Sequence, residues 1–306
     1  MKVVICYFSG TGNTRKVVQK YRECLTANGD SVEVYAMEQL LCNDMPEEFL
    51  NTLNSADLLG IGYPVHAFNA PSIVLKFVKS LPKKAEKTRA FVVSTSGEPL
   101  KLNNISSLKT KKLLKRRNYV VTNEYRYCMP YNIMFRHTDT MAYRMWDVAQ
   151  KVIPLDVEEL LEGKQHLPKQ VFCGSFIAWV MRCEHWGGRL NGRHYKVDEK
   201  CVHCQKCVNI CPTKNITVKD GKLKFGKKCL MCMRCVQLCP KDAIRMGWFN
   251  GWKVNGAYTF VEPQEPQEQK YNKMLTRSYN KYFEYCESRT SPVGHVENIT
   301  ENEERV

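Results

Sequence analysis

Residues 201–240, CVHCQKCVNICPTKNITVKDGKLKFGKKCLMCMRCVQLCP, write one pattern twice. The first copy is Cys201, Cys204, Cys207, Cys211 and Pro212, and the second is Cys229, Cys232, Cys235, Cys239 and Pro240. Three thiolates separated by two residues each can wrap a tight loop around one inorganic centre. The fourth must arrive from elsewhere, and the proline turns the chain away. The repeat extends past the cysteines, since Val208 matches Val236 and Ile216 matches Ile244. Two half-domains related by pseudo-symmetry around a small shared core are therefore predicted. Zinc is the competing reading of C-x2-C pairs, but zinc sites usually come as separated knuckles and need no trailing proline. A disulfide framework fits the pattern less well again.

The doubled C-x2-C-x2-C-x3-C-P run resembles that of bacterial ferredoxins, which hold [4Fe-4S] clusters with it. In two-cluster members the fourth Cys of each run serves the other cluster. The resemblance thus implies one cluster on Cys201, Cys204, Cys207 and Cys239, and another on Cys229, Cys232, Cys235 and Cys211.

A chain of 306 residues fits two domains better than one. It carries 15 Cys. Those outside the run (Cys6, Cys24, Cys42, Cys128, Cys173, Cys183, Cys286) follow no spacing and are expected to be small buried hydrophobes. Ligand thiols and unpaired strays together point to a reducing cytoplasm. Residues 1–8 are apolar but run straight into a glycine turn, without the h-region and cleavage site of a signal peptide. Residues 171–181, the longest apolar stretch, are too few to span a bilayer, so a soluble cytoplasmic protein without membrane insertion is expected. The net charge of +15 points to an acidic partner, to nucleic acid or to an anionic membrane surface.

Residues 2–8, rich in Val and Ile, read as a strand buried on both faces. Ser9-Gly10-Thr11-Gly12-Asn13-Thr14 follows, and then Val17, Tyr21, Cys24 and Leu25 recur at helical spacing up to Asn28-Gly29. A hydroxyl-rich glycine turn between strand and helix is an anion site, because the first-turn N–H groups lack intrahelical acceptors. It holds no Gly-Lys-Ser/Thr of a nucleotide-triphosphate loop, and Arg15 stands where a dinucleotide fingerprint needs its third glycine. What remains is a phosphate held by neutral donors.

The strand and helix alternation continues, with strands at 32–35, 57–63, 90–94 and 119–127 and a helix reaching Phe77. Such units imply a parallel sheet with helices on both faces and a ligand beyond the carboxyl ends of the strands. That rule gathers residues 9–14, 64–69 and 94–98. Residues 102–117 read as a basic helix and residues 140–161 as a closing helix, interrupted near Pro154, that places Met141 and Met145 in the core. Residues 165–196 connect the two domains. The aromatic, glycine-rich stretch 248–260 is expected to cover a cluster. A Pro/Gln/Glu break at 262–269, one helix and an acidic end complete the chain.

Ser9-Gly10-Thr11-Gly12-Asn13-Thr14 matches, position by position, the T/S-x-T-G-x-T loop of the flavodoxin family, which holds the phosphate of FMN. The resemblance implies an α/β fold: a flavodoxin-like doubly wound parallel five-stranded sheet of order 2-1-3-4-5, followed by a small α+β two-cluster ferredoxin domain. It implies FMN on Ser9 through Thr14, with Tyr63, Pro64, His66, Phe68 and Asn69 on one side of the ring and Ser94, Thr95, Ser96 and Gly97 on the other. The third loop has no aromatic where many flavodoxins stack one on the flavin. In domain order the chain is similar to flavodoxin–ferredoxin fusion proteins of anaerobes. The plan expected is a flavin domain over 1–165, a linker over 166–196, a ferredoxin domain over 197–247 and an extension over 248–306. The implied role is electron transfer between two [4Fe-4S] clusters and FMN. The charge of the basic residues 109–117 is expected to draw an acidic redox protein such as a ferredoxin. Two other readings compete with it. A flavin-dependent reductase of a small molecule would use His66, Asn69 or Glu98. Nucleic-acid binding rests on charge alone, and since residues 109–117 lack interleaved aromatics, a solvated helix face is the better reading.

Overall fold

The computed structural model describes residues 1–41, 45–169 and 171–291, so Cys42 and the acidic end lie outside the described residues. In β1 (Lys2–Tyr7), Val3, Val4, Ile5 and Cys6 are all buried, as a central parallel strand covered on both faces requires. Helix α1 (Asn13–Ala27) returns the chain to β2 (Ser31–Ala36), and α2 (Met37–Leu40) and α3 (Glu47–Asn54) lead to β3 (Leu58–Pro64). Then come α4 (Ser72–Ser80), β4 (Thr88–Ser96), a 3-10 turn (Lys101–Ser107), α5 (Leu108–Lys115), β5 (Tyr119–Cys128) and α6 (Asp139–Leu161). All pairings are parallel and the order is β2-β1-β3-β4-β5, the flavodoxin-like doubly wound arrangement.

Strand alternation divides the core in two. Val3, Ile5 and Phe91 face α1 and α6, where Val17, Tyr21 and Met145 meet them. Val4, Cys6 and Leu59 face the opposite way, toward Phe49, Phe77 and Leu114. The interruption expected near Pro154 does not occur, and α6 runs through it. Pro154 lies on the exposed face, where water can satisfy the carbonyl it frees, while Val152, Ile153 and Val157 stay buried against the sheet.

The second part begins with two helices, α7 (Gly174–Met181) and α8 (Cys183–Gly192), where the sequence suggested only a connection. Strand β6 (Lys196–Val197), α9 (Lys206–Asn209), β7 (Ile216–Lys219), β8 (Lys222–Phe225), α10 (Arg234–Gln237) and β9 (Ile244–Arg245) follow. Here β6 pairs with β9 and β7 with β8, both antiparallel, around Tyr195, Met233, Val236, Ile244 and Met246. Of the cysteines expected to be buried, Cys173 and Cys183 are exposed, because they flank α7 and α8 on the surface. Among the described residues no helix is long and apolar enough to cross a membrane.

After a 3-10 segment (Gly247–Trp252) the chain returns to the first sheet. Helix α11 (Lys273–Thr290), capped by Asn272 Oδ1 accepting from Leu275 N–H at 2.9 Å, buries Tyr279, Tyr282, Phe283 and Cys286 in the core shared by α1 and α6. A polar chain locks it there. Tyr21 donates to Tyr127 at 2.7 Å, Tyr127 donates to Asp156, and Arg289 donates to Asp156 at 2.6 Å and Glu159 at 2.8 Å. Burial pushes the Asp156 carboxyl up, and Arg289 opposes that shift.

Removing one member of a buried ion pair strands the other, at a cost of about 3–5 kcal/mol. Arg289→Ala is expected to lose about that much stability in urea unfolding, whereas Asp156→Asn/Arg289→Met should recover most of it. A single-variant loss below about 1 kcal/mol would rank the pair with surface bridges.

Candidate functional site

At the carboxyl ends of β1, β3 and β4 a cavity of about 530 Å³ opens between the two parts of the chain. Gly10 and Asn13, then Pro64, His66 and Phe68, then Thr95, Ser96 and Gly97 line one side. Met231, Cys232, Met233, Phe249 and Trp252 line the other.

The first loop is tied internally. Ser9 Oγ accepts from Gly12 N–H at 3.1 Å, Asn13 donates to the Pro130 carbonyl at 2.8 Å, and the Thr14 and Thr95 hydroxyls bond at 2.8 Å. Gly12, at φ 115°, makes the left-handed turn into α1 that a side chain would resist. The Thr11 hydroxyl is left buried without a partner, beside a helix N-terminus whose first N–H groups have no intrahelical acceptor. Such a donor set fits a phosphate held without lysine.

The second loop is a turn in which His66 and Asn69 exchange backbone hydrogen bonds, both of 2.9 Å. Ala67 (φ 39°) and Phe68 (φ 60°) are both left-handed, a conformation glycine or asparagine usually supplies in such turns. Strain of about 1–3 kcal/mol per residue is thus held beside the cavity. Asn69 shapes this loop and does not line the cavity; its amide donates to the Ala67 carbonyl at 3.0 Å. Burial, with His185 second, pushes the His66 imidazole down to about 4, so it stands neutral in the cavity wall. Tyr63 is a correction to the sequence reading. Strand alternation sends its ring into the core with Ile61, and its hydroxyl lies by Ser106 and Thr110. Ser94 is likewise buried away from the cavity lining, with Oγ 3.5 Å from the Tyr125 carbonyl.

The aromatic missing from the third loop comes from the loop after β5. A Cβ on Gly97 would stand 2.4 Å from the Tyr131 ring, so only glycine lets that ring lie where it does. The Tyr131 hydroxyl donates to Glu98, whose carboxyl burial pushes up. Behind Tyr131, stacked at 5.3 Å, is His137. Its Nδ1 accepts from Tyr131 N–H at 3.2 Å, and Nε2–H donates to the Tyr279 hydroxyl at 3.2 Å, which in turn donates to the Gly97 carbonyl. The C-terminal helix thereby fixes a cavity loop that is remote in sequence. In residues 248–260, Phe249 packs against the core that Cys207, Cys229, Cys235 and Cys239 adjoin, and Phe249 and Trp252, stacked at 4.8 Å, also form a cavity wall, tied by Met134 N–H to the Trp252 carbonyl at 2.8 Å.

In the second part the duplication is visible in the backbone. His203 and Met231, Gln205 and Met233, and Lys214 and Asp242 all take left-handed φ values near 50–60° at matching positions. Asn215 N–H donates to Cys211 Sγ and Ala243 N–H to Cys239 Sγ, each at 3.3 Å. Successive turns of this kind aim backbone N–H groups inward as anion nests. Cys211 shares one small cavity with Cys229, Cys232 and Cys235, and Cys239 shares another with Cys201, Cys204 and Cys207. Among the described residues no three His, Cys, Asp or Glu groups converge as a single metal ion would need. Four thiols around a shared space suit a multi-iron cluster better than one zinc.

The two parts meet at Arg234, a residue the motif reading passed over. Its Nε donates to the Gly10 carbonyl at 3.1 Å, and its guanidinium reaches the Ser9 carbonyl at 2.5 Å, Glu38 at 2.7 Å and the Ile210 carbonyl at 3.2 Å. A Cβ on Gly10 would stand 2.2 Å from the Cys232 carbonyl oxygen, so the first loop rests on the second cysteine run. The only sequence hint was positional, for Arg234 stands where the first copy has Lys206. Glu184 was also missed. It lines the cavity from α8, its Oε2 is buried without a partner, and burial pushes its carboxyl up to about 7.

Residues 193–245 match the family model of the 4Fe-4S dicluster domain. Among solved structures the chain is similar to a flavodoxin of Streptococcus pneumonia TIGR4, with 13% identity over 53% of this chain and 98% of that one and a TM-score of 0.38. Megasphaera elsdenii flavodoxin in its two-electron reduced state gives 21% identity, 40% and 84% coverage and a TM-score of 0.34. An FMN-dependent NADH-azoreductase of Bacillus anthracis gives 14%, 52%, 99% and 0.34. No curated protein matches the chain. The fold assignment stands on the sheet order, not on these scores. The chain joins a flavodoxin-like domain to a ferredoxin-type iron–sulfur domain.

Burial pushes the His137 imidazole down to about 3, below its ordinary 6.5. From pH 6.5 downward the unfolded chain takes a proton that the native state refuses. The stability present above pH 6.5 is therefore lost on acidification, at about 1.4 kcal/mol per pH unit at the steepest. His137→Gln is expected to flatten this acid limb in urea titrations between pH 6.5 and 4. An unchanged limb would mean that the native state accommodates the imidazolium.

Proposed function

We propose that this chain is an electron-transfer protein binding FMN and two [4Fe-4S] clusters and passing electrons between them. FMN would occupy the cavity, with its phosphate at Thr11 and the N-terminus of α1 and its ring between residues 64–68 and 95–97. One cluster would sit on Cys201, Cys204, Cys207 and Cys239, the other on Cys229, Cys232, Cys235 and Cys211. The observation that carries the reading is the contact of Gly10 with Cys232, which makes the second cysteine run a wall of the flavin cavity. A cluster passes single electrons whereas flavin holds one or two, so the pair couples a one-electron donor to a flavin-level acceptor. The protein supplies the placement. Arg234 fixes the two loops together, neutral His66 adds no charge to the wall, and Tyr131, Phe249 and Trp252 keep the cavity apolar. An acidic redox protein such as a ferredoxin is the partner that the +15 charge favours.

Glu184 supports a second reading, reduction of a small molecule at the flavin face. A carboxyl that titrates near 7 in the cavity wall is placed to hand a proton to a bound substrate.

Thr11→Val is expected to weaken FMN binding about tenfold, the value of one hydrogen bond to a charged group, as read by flavin fluorescence on titrating the apoprotein. An unchanged affinity would move the phosphate off this loop. The function itself is tested with anaerobically reconstituted protein. Cys235→Ala should retain FMN yet lose flavin reduction by a reduced ferredoxin, and Arg234→Ala should slow it with all cofactors still visible in the spectrum. Unimpaired flavin reduction in Cys235→Ala lacking its second cluster would overturn the reading, whereas steady turnover of a small acceptor dependent on Glu184 would favour the second.

A further inference from the structure

We infer that the outer face of α7 and α8 is the docking surface for an acidic electron-transfer protein, placed over the second cluster. The inference rests on the electron-transfer reading above. Phe176, Trp179, Trp186 and Leu190 are each 50–68% exposed, and Phe176 stacks on Trp179 at 6.0 Å. An exposed apolar patch of this kind marks a contact surface, and Trp and Arg are the residues that dominate binding energy in one. Arg189 lies over the Trp186 ring at 5.6 Å. Arg182 acts electrostatically on both Lys109 and His185, so the basic face of α5 continues into this one.

The inner face of α8 shows what the patch covers. A Cβ on Gly192 would stand 2.2 Å from the Cys229 side chain, and Gly188 rests on Met231. Helix α8 alone separates Trp186, Leu190 and Arg189 from the second cysteine set, and small residues bring that helix close, while α7 extends the patch over the 3-10 turn at Ile105. The other open approach, around exposed Cys204, offers Val202 as the sole exposed large apolar side chain of residues 201–211. A second copy of the chain would set Arg182, Arg189 and Lys109 against themselves across a two-fold axis, which costs affinity. An anionic bilayer would suit aromatics and arginines, but nothing in bilayer binding calls for a cluster beneath the patch.

The test compares the holoprotein with its Trp186→Ser/Arg189→Glu variant, using a purified acidic two-[4Fe-4S] ferredoxin as probe. Both altered side chains are on the surface, and an unchanged visible spectrum checks that the cofactors remain. Binding and stopped-flow electron exchange are followed across ionic strength. The wild-type on-rate is expected to fall steeply with salt. The variant should bind at least about tenfold more weakly with a shallower salt dependence, while flavin reduction by dithionite proceeds as before. Equal binding and electron exchange in both proteins would overturn the inference. So would a patch-dependent partition onto phosphatidylserine vesicles without effect on the ferredoxin, or a wild-type dimer in sedimentation that the variant dissolves. A wild-type flavin that stays oxidised while the ferredoxin reduces the clusters would sink the underlying electron-transfer reading instead.

Discussion

Arg234 is the interaction on which the arrangement depends. The flavodoxin-like sheet and the two-run cysteine domain each have a core of their own, and Leu230 and Cys232 of the second run pack against the core of the sheet. Beside the Gly10–Cys232 contact, one guanidinium gathers two carbonyls of the loop after β1, a carboxylate on α2 and a carbonyl of the first cysteine run. The planar fork of Arg satisfies several acceptors at fixed angles, which the ammonium of Lys206 at the matching position could not do. Because Arg234 lies between Cys232 and Cys235, the group that fixes the domains also fixes the cysteine loop against Gly10.

The second constraint comes from the end of the chain. Helix α11 fills the groove of α1 and α6, and the Tyr279 hydroxyl holds the Gly97 carbonyl while His137 holds Tyr279. Loops are ordinarily the soft parts of such a fold. Here the third loop is set by a buried histidine and a helix that arrives nearly two hundred residues later. The flavodoxin-like domain is thus completed by sequence on the far side of the iron–sulfur domain, so the two cannot be cut apart at a single linker.

Strands, helices and the doubled cysteine run were legible because each follows from local periodicity or spacing, whereas the strand order and the crossed cysteine sets were implied by the flavodoxin and bacterial-ferredoxin resemblances. Lys2–Tyr7 could only be a doubly buried strand, and Gly12 could only make its turn. Tyr63 was misplaced because loop membership in sequence does not say which way a strand residue points; one step of alternation put it in the core while Pro64 faced the cavity. Tyr131, His137, Glu184 and Arg234 were illegible for a different reason. Each acts on residues far away in sequence, and no local pattern records such a partner. Pro154 shows propensity overruled by packing, where a buried stripe on α6 outweighs one lost hydrogen bond.

The way the duplication is broken carries the last step. At the matched left-handed positions the first copy has His203 and Gln205, both exposed, and the second has Met231 and Met233, both buried. A methionine gains nothing from a left-handed backbone, and the loop imposes that conformation on both copies to turn its N–H groups inward. The side chains are therefore where the copies were free to differ. Polar residues leave the first run, with Cys204, open to water, whereas two adaptable apolar ones let the second run close over the cavity above Gly10. Symmetry of the backbone with asymmetry of the side chains leaves Cys204 of one set exposed and lays Cys232 of the other against Gly10 of the first loop.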